Sequence, residues 1–301
     1  MEQKLLQQGI SAVLIAGPTA SGKSALALEM ARQHGGEIVN ADSMQVYGVL
    51  DRLTARPDAQ DLDAVPHHLY GHVPPQSAYS TGIWVEQATD AIAGIRARGA
   101  LPIVVGGTGL YFRALTGGLS DMPTIPAAIR DDLRARLESE GIEPLSAELA
   151  RLDPGMAERL RPADRQRILR ALEVILATGR SIAEFQGQGR PAIIDPSSAR
   201  CLVLEPPRPL LHARINTRFG KMIQDGALEE VERLLALDVP PQHPAMKAIG
   251  VSQLAQYLAG HLSLEQAVEL ARAATRQYAK RQMTWFRNQL DQDWVRLMHD
   301  N

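Results

Sequence analysis

Residues 17–24 read GPTASGKS and combine the residue types that bind phosphate. The motif has the spacing of a phosphate-binding loop (P-loop), in which backbone N–H groups and Lys23 contact phosphate and the Ser24 hydroxyl binds Mg²⁺. The apolar run AVLIA comes just before it, and an Ala/Leu-rich stretch with helical character follows. This context favours a genuine diphosphate or triphosphate site over a chance match. The molecule that carries those phosphates stays open at this point.

Two further polar stretches follow apolar runs that are typical of buried strands. Asp42 follows EIVNA, and Thr108 lies in GGTGLY, directly after LPIVV. Because ligands bind at the carboxyl ends of parallel strands, both positions predict site residues. Asp42 is either a helix N-cap or Mg²⁺ ligand, or a general base at the mouth of the phosphate site, and spacing does not decide between them. LPIVV itself ends without the carboxylate that an NTPase uses to hold Mg²⁺.

Basic side chains recur at helical spacing in two later stretches. The first is DRQRILRALEV, with Arg165, Arg167 and Arg170. The second is ARAATRQYAKRQMTWFR, which contains no acid and whose basic stripe consists of Arg272, Arg276, Lys280 and Arg287. A solvated helix face is the default interpretation of such charge. The missing acids nevertheless favour a phosphate-rich partner.

A histidine cluster, His67, His68 and His72, lies in VPHHLYGHV. Its spacing fits no zinc pattern, and no nearby cysteine could complete one. The cluster therefore predicts structural polar contacts in preference to a metal site.

Composition limits the classes of protein to consider. The chain has 301 residues, of which 45% are hydrophobic and 22% charged, which predicts two lobes or one domain with a large insertion. Cys201 is the single cysteine, so an internal disulfide is excluded. The absence of a long apolar run or signal peptide predicts a cytoplasmic protein without a membrane partner. The net charge of −2 argues against a general nucleic-acid coat but allows a local basic groove.

The elements that must position these residues alternate between strand and helix patterns in the first third of the chain. From Pro123 to about Pro196 the strand signal disappears, and the clearest helix runs from Ala163 to Thr178. The run CLVLE then resumes the strand pattern. The sequence predicts an α/β fold: a P-loop core with a parallel sheet and crossover helices, formed by residues 1–123 and 197–301, plus an inserted all-helical domain at 124–196.

The order of the motifs resembles one enzyme family. GPTASGKS, NADSMQVY, PHHL, GGTGLY with RALTGG, DRQRILRALEV, RINTRF and TRQYAKRQMTWFR follow one another as in the tRNA dimethylallyltransferases, also called tRNA isopentenyltransferases. Members of that family transfer a five-carbon prenyl group from dimethylallyl diphosphate to N6 of the adenosine 3′ of the anticodon, tRNA position 37. The single cysteine cannot form the zinc finger of many eukaryotic members, which implies the bacterial type.

The resemblance also implies roles for the matched residues. Asp42 matches the general base, Thr108 matches a catalytic-site residue, and Ser24 would hold the Mg²⁺ cofactor. The implied diphosphate-binding residues are Gly17, Pro18, Thr19, Ala20, Ser21, Gly22, Lys23 and Ser24. The implied tRNA-binding residues are Asp42, Ser43, Met44, Gln45, Thr108, Gln166, Arg167, Ile168, Leu169 and Arg170. To these we add Arg130, outside every motif, as a backbone contact at the start of the insertion.

The expected partners are the anticodon stem-loop of tRNA and dimethylallyl diphosphate, bound by a monomer. Two other classes of protein compete with this interpretation. In a P-loop nucleoside or nucleotide kinase, the loop would hold ATP and the arginines of 159–170 would form a lid. In a non-catalytic tRNA-binding module, the loop would be vestigial, yet every signature residue of the loop is present.

Overall fold

The computed structural model describes residues 5–118, 120–186 and 191–298. The chain divides into two compact units, one formed by the residues up to Thr116 and from Ala192 onward, the other by Gly117–Pro191. The helical insertion is predicted at 124–196, and the second unit spans Gly117–Pro191.

A six-stranded parallel sheet lies at the centre of the first unit, in the order β3-β2-β4-β1-β5-β6. Its strands are β1 Ala12–Ala16, β2 Gly36–Asn40, β3 His67–His68, β4 Leu101–Gly106, β5 Ala199–Leu204 and β6 Val295–Leu297. The central strands are buried throughout. Such strands read as continuous apolar runs because both faces of a parallel sheet are covered.

Helices surround the sheet and make up the second unit. In chain order they are α1 Lys23–His34, α2 Ala59–Ala64, α3 Thr81–Ala97, α4 Gly109–Gly117, α5 Ala127–Glu140, α6 Ile142–Leu152, α7 Pro154–Ala157, α8 Arg165–Thr178, α9 Ile182–Phe185, α10 Arg208–Gln224, α11 Ala227–Leu235, α12 Val251–Leu258 and α13 Leu264–Gln289. Short 3₁₀ turns occupy Leu5–Gln8, Pro196–Ser198 and Pro244–Lys247. None of the helices among the described residues has the length and apolar character needed to cross a bilayer.

Local sequence signals fix the ends of the longer helices. Ser263 and Gln266 form a reciprocal capping box at the start of α13. Asp164 caps α8 by accepting a hydrogen bond from the Arg167 N–H group, and Gly179 ends that helix in the left-handed conformation. These signals explain why α8 begins and ends close to the predicted positions, Ala163 and Thr178.

Alternate side chains of the central strands enter different cores. In β1, Leu14 belongs to the large core on the side of α3 and α13, whereas Val13 and Ile15 pack on the side of α1. The second unit has a separate apolar core built from α5, α6 and α8. The fold therefore confirms the predicted α/β class with a parallel sheet and crossover helices.

Two details depart from the predicted elements. The strand predicted for LPIVV extends one residue further, to Gly106. Strands β3 and β6 lie beyond the predicted set, since two or three residues are too few to show a period of two.

Candidate active site

The carboxyl edge of the sheet brings the main predicted site residues together. Strands β1, β4 and β2 are parallel neighbours in that order, so the segments that follow them leave the same edge. The loop of residues 17–22 follows β1, Asp42 follows β2, and Thr108 follows β4. This edge is where parallel α/β sheets bind ligands.

The loop between β1 and α1 has the local geometry of an anion site. Gly22 adopts the left-handed conformation, with a φ of 93°, and no side chain caps α1 behind it. The first N–H groups of a helix lack partners within the helix and carry partial positive charge, so they attract anions. Lys23 Nζ folds back over the loop and donates to the Pro18 carbonyl at 3.2 Å.

A second cation faces the same loop from α10. The Arg218 guanidinium donates to Thr19 Oγ1. Burial lowers the pKa of Lys23 to about 8; the negative charge of Asp42 opposes this shift, and the positive charge of Arg218 adds to it. Burial also lowers the pKa of Arg218, again against the influence of Asp42. Two partly desolvated cations beside a helix N-terminus are suited to hold a polyanion.

Asp42 is held at the mouth of this loop by its own chain. Its N–H group donates to Asn40 Oδ1 at 2.8 Å, and Asn40 Nδ2 donates back to the Asp42 carbonyl at 3.0 Å. Oδ1 of Asp42 accepts the Met44 N–H group at 2.9 Å and so closes an Asx turn; no helix begins at this position, so Asp42 is not the helix N-cap of the structural alternative. The carboxylate also lines a cavity, described below, so this contact leaves it accessible to a ligand.

Thr108 connects the loop after β4 to the residue that follows Asp42. Its hydroxyl accepts the Ser43 N–H group at 3.0 Å, and its own N–H group donates to the Ala41 carbonyl at 3.1 Å. Behind these loops, the Trp84 indole N–H donates to the Asn40 carbonyl at 2.9 Å. The segments that follow β2 and β4 are therefore fastened to each other.

A cavity of about 290 Å³ adjoins Asp42. Polar groups from three chain segments line it, among them Thr19, Asp42 and Arg218. Apolar side chains of α10 complete its wall: Ile215, Phe219 and Met222. A second cavity of about 840 Å³ lies over residues 20–26 and the adjacent face of α10, and Arg218 lines both cavities. The site can thus hold an anion and an apolar group side by side.

Three of the predicted tRNA-binding residues follow Asp42. Met44 and Ser43 line the smaller cavity. Gln45 instead uses its side-chain N–H groups to hold the Thr54 and Ala55 carbonyls, at 2.8 and 2.9 Å. This amide therefore anchors a neighbouring loop.

The remaining predicted tRNA-binding residues lie in the second unit, where their environments differ. Arg167 and Gln166 are exposed, and Arg167 pairs with Asp164. Arg170 forms an ion pair with Glu173 at 2.9 Å. Leu169 is half-buried, and Arg130 on α5 is likewise only partly exposed. The side chain of Ile168 is buried, at 1% exposure, in the core of this unit because the apolar face of α8 packs inward, so a tRNA contact at this position would involve its backbone.

The basic side chains on α13 have more acidic partners than the sequence indicates. Arg272 and Arg276 lie within ion-pair distance of Glu269, one turn or more earlier on the helix, and Arg276 also donates to Asn216. Arg287 lies 4.0 Å from Glu205. The local absence of acids is therefore a poor guide here, because carboxylates from outside the quoted stretch reach the arginines. Lys280 is exposed.

The histidines make the structural contacts that their spacing predicts. His67 Nδ1 lies 2.9 Å from the Val65 carbonyl, His68 Nε2 lies 2.7 Å from Glu37, and His72 Nε2 lies 2.8 Å from Gln87. Within the described parts of the chain, no group of three or more His, Cys, Asp or Glu side chains is placed to hold a metal ion.

Several residues of the site were not predicted from the sequence, although they lie in motifs that the sequence analysis identified. Arg218 lies in RINTRF, and Tyr278, which lines the smaller cavity, lies in TRQYAKRQMTWFR, as does the buried Gln282. The residues that they contact lie far away in the chain, so no local spacing pattern indicates these contacts. Asn40 had a signal, since an amide at the last position of a buried strand requires partners.

The carboxyl edge of the parallel sheet carries a lysine-bearing loop, a carboxylate and an apolar cavity. This combination defines an enzyme for phosphate-containing substrates. Comparison with known proteins gives the family. The IPP transferase family model matches residues 45–289, and an isopentenyl transferase model matches residues 10–70. The chain belongs to the IPP transferase family.

Curated relatives and solved structures agree with this assignment. The chain is 60% identical to a tRNA dimethylallyltransferase of Rhizobium leguminosarum bv. trifolii over 96% of its own length and 97% of the relative's. The corresponding Agrobacterium fabrum protein is 57% identical over 98% of this chain and 99% of the relative. A tRNA isopentenylpyrophosphate transferase structure from Bacillus halodurans is 33% identical, with a TM-score of 0.68 over 96% of this chain and 90% of that one.

A eukaryotic dimethylallyltransferase acting on tRNA is similar in fold as well. Its TM-score is 0.81 at 29% identity, over 95% of this chain and 74% of that one. Full-length similarity to bacterial tRNA dimethylallyltransferases confirms the family and bacterial type expected from the motifs. It also argues against the kinase and against the non-catalytic module.

Proposed function

We propose that this protein is a tRNA dimethylallyltransferase, which transfers the dimethylallyl group of dimethylallyl diphosphate to N6 of the adenosine 3′ of the anticodon, position 37, and releases diphosphate. One observation carries the chemistry: Thr19, Asp42 and Arg218 line a single cavity that also has an apolar wall. Membership of the IPP transferase family supports the substrate class.

The loop of residues 17–24 is proposed to bind the diphosphate. Lys23 and Arg218 supply positive charge, and the start of α1 supplies backbone N–H groups. When the allylic C–O bond breaks, its electron pair stays on the diphosphate oxygen, so negative charge grows there. Groups already oriented toward that charge stabilise the transition state more than the ground state.

The residues present fit a Mg²⁺ ion, as the family resemblance implies. Ser24 is exposed at the first turn of α1 and lines the larger cavity, so its hydroxyl would hold the ion there. Bound there, Mg²⁺ would neutralise part of the diphosphate charge.

Asp42 is proposed as the general base. The N6 lone pair forms the new N–C bond at the allylic carbon as the C–O bond breaks, and Asp42 accepts the proton that the exocyclic amine loses. This amine is a weak nucleophile because its lone pair is delocalised into the ring, so a nearby carboxylate lowers the barrier. Asn40 Nδ2 donates to the Asp42 carbonyl and the Met44 N–H group donates to the carboxylate, and these hydrogen bonds fix the position of Asp42 for this step.

The apolar wall and the loops around it are proposed to hold the five-carbon group and the adenine. Ile215, Phe219 and Met222 offer the hydrocarbon surface that excludes water from the reacting carbon. An adenine in a stacked anticodon loop cannot reach such a cavity, so the target nucleotide must leave its stack. Exposed polar residues of α8, such as Gln166 and Arg167, are proposed contacts for the anticodon stem-loop, bound by a cytoplasmic monomer.

The test is product formation by purified protein. Incubation with dimethylallyl diphosphate, Mg²⁺ and an unmodified tRNA with adenosine at position 37 should give prenylated tRNA and one diphosphate per transfer, detected by mass spectrometry of nucleosides. A tRNA with guanosine at position 37 should remain unmodified. ATP turnover with nucleosides, without prenyl transfer, would instead support the kinase.

A further inference from the structure

Gln282 is a buried polar residue in the middle of α13. Its side chain has 5% exposure, within a helix whose other buried positions are mainly apolar. A buried amide costs stability unless its hydrogen-bonding groups are satisfied, so its partners reveal its role.

Those partners belong to the two loops of the candidate active site. Oε1 of Gln282 accepts the Thr19 N–H group at 2.9 Å, and Nε2 donates to the Gly107 carbonyl at 2.9 Å. Because Thr19 offers a donor and Gly107 an acceptor, the orientation of the amide is determined by its partners. Neither a carboxylate nor an apolar side chain can make both bonds.

Each partner of Gln282 is connected to a group that the proposed function places at the reaction. The Thr19 hydroxyl accepts from Arg218, on the side proposed to bind diphosphate. Gly107 precedes Thr108, whose hydroxyl accepts the Ser43 N–H group directly beside Asp42. The amide therefore joins the electrophile side of the site to the nucleophile side, beyond the point where β1 and β4 cease to pair.

The shape of the loop after β4 depends on the same helix face. A Cβ atom at Gly107 would overlap Nε2 of Gln282, and one at Gly109 would overlap the indole ring of Trp285. Gln282 and Trp285 are three residues apart, so they lie on one face of α13. The glycines of GGTG are thus required by close protein contacts.

We infer that Gln282 is a positioning residue for prenyl transfer: its side-chain amide sets the separation between the diphosphate loop and the loop that carries Thr108 beside Asp42. The inference rests on the proposed function and adds a residue to it. Displacement of reacting groups by about 1 Å can cost on the order of 100-fold in rate, so a link of this kind affects chemistry more than binding.

The experiment is single-turnover prenyl transfer with saturating tRNA and dimethylallyl diphosphate. Gln282→Met keeps the length of the side chain and removes both hydrogen bonds. We expect its rate constant to fall by about 10- to 100-fold, with the reaction amplitude preserved and tRNA affinity within about threefold. Gln277→Met makes the same exchange at an exposed position of α13 and should react like wild type.

A second variant reaches the same link from the other side. Gly107→Ala does not change residue 282, but the added methyl group would push the Gln282 amide out of its position. This variant should lower the rate constant by a similar factor. Combining Gln282→Met with Asp42→Asn should cost less than the product of the two single effects, because positioning matters less once the base is gone.

The possible results separate the inference from the function on which it rests. A Gln282→Met rate constant within threefold of wild type would overturn the positioning role. A reduced amplitude at an unchanged rate constant would also overturn it, because that result reports only a smaller fraction of folded protein. A defect confined to the affinity for Mg²⁺-diphosphate would also overturn it. Wild-type protein that forms no prenylated tRNA would refute the proposed function itself.

Discussion

Raising the pH through 8 should weaken diphosphate binding because Lys23 loses its proton. Burial lowers the pKa of this amine to about 8, far below its usual value of 10.5. With that pKa, about nine-tenths of the molecules carry charged Lys23 at pH 7 and about one-tenth do at pH 9. The lowered pKa therefore places the loss of charge within an accessible pH range.

The size and sign of the effect follow from linkage. Bound diphosphate stabilises the charged amine, so its pKa rises in the complex and binding above pH 8 takes up a proton. The Kd for Mg²⁺-diphosphate should rise about tenfold between pH 7 and pH 9 through this one group. Below pH 7, Lys23 contributes no further pH dependence, because it is already charged in the free protein.

Isothermal titration calorimetry with inorganic diphosphate and Mg²⁺ measures this dependence. Diphosphate also titrates, so the comparison is with Lys23→Arg, which keeps its charge throughout. The ratio of wild-type to variant Kd should rise with pH, and buffers of different ionisation enthalpy should show that wild type takes up nearly one proton more than the variant at pH 9. Parallel pH profiles for the two proteins would refute the reasoning.

Three further outcomes are expected. Asp42→Asn should lower the single-turnover prenyl-transfer rate by about 10²–10⁴-fold while tRNA affinity stays within a few-fold, because the base is removed at constant size. Neutralising Arg167 and Arg170 together should weaken tRNA binding and reduce its salt dependence by about one log unit per lost phosphate contact, measured by filter binding across a salt series. Glu230→Ala should lower the unfolding free energy by at least about 2 kcal/mol in urea melts, because fully buried Glu230 accepts the N–H groups of residues 51–53.

Matched variants and alternative outcomes make each of these tests decisive. Full recovery of Asp42→Asn activity at high Mg²⁺ would assign the carboxylate to metal binding. Arg32→Gln, an exposed change at the far end of α1, should leave the salt slope unaltered, and an equally unaltered slope for the double variant would return its arginines to a solvated face. Glu232→Ala, exposed on the same helix as Glu230, should change stability by no more than about 0.5 kcal/mol, and an equal loss in both would contradict the anchoring role.

Local signals in the sequence determined the parts of the site that lie within one stretch of chain. The 17–24 motif, the apolar runs of β1, β2 and β4, and the glycines after β4 have short-range patterns set by backbone geometry, so their elements were predictable. The same patterns identified Asp42 and Thr108 as residues at strand ends. Local charge was less reliable, as the Glu269 ion pairs on α13 show, because a carboxylate outside a stretch can neutralise it.

Tertiary structure alone decided how these stretches meet. β4 inserts between β1 and β2, which brings Thr108 into line with the other two loops although 65 residues separate it from Ser43 in the chain. Arg218 reaches Thr19 across 199 residues, and Gln282 reaches Thr19 across 263. Strand order and long-range side-chain contacts depend on how crossover helices pack against the whole sheet. The hydrophobic period within one segment does not depend on that packing and so cannot predict it.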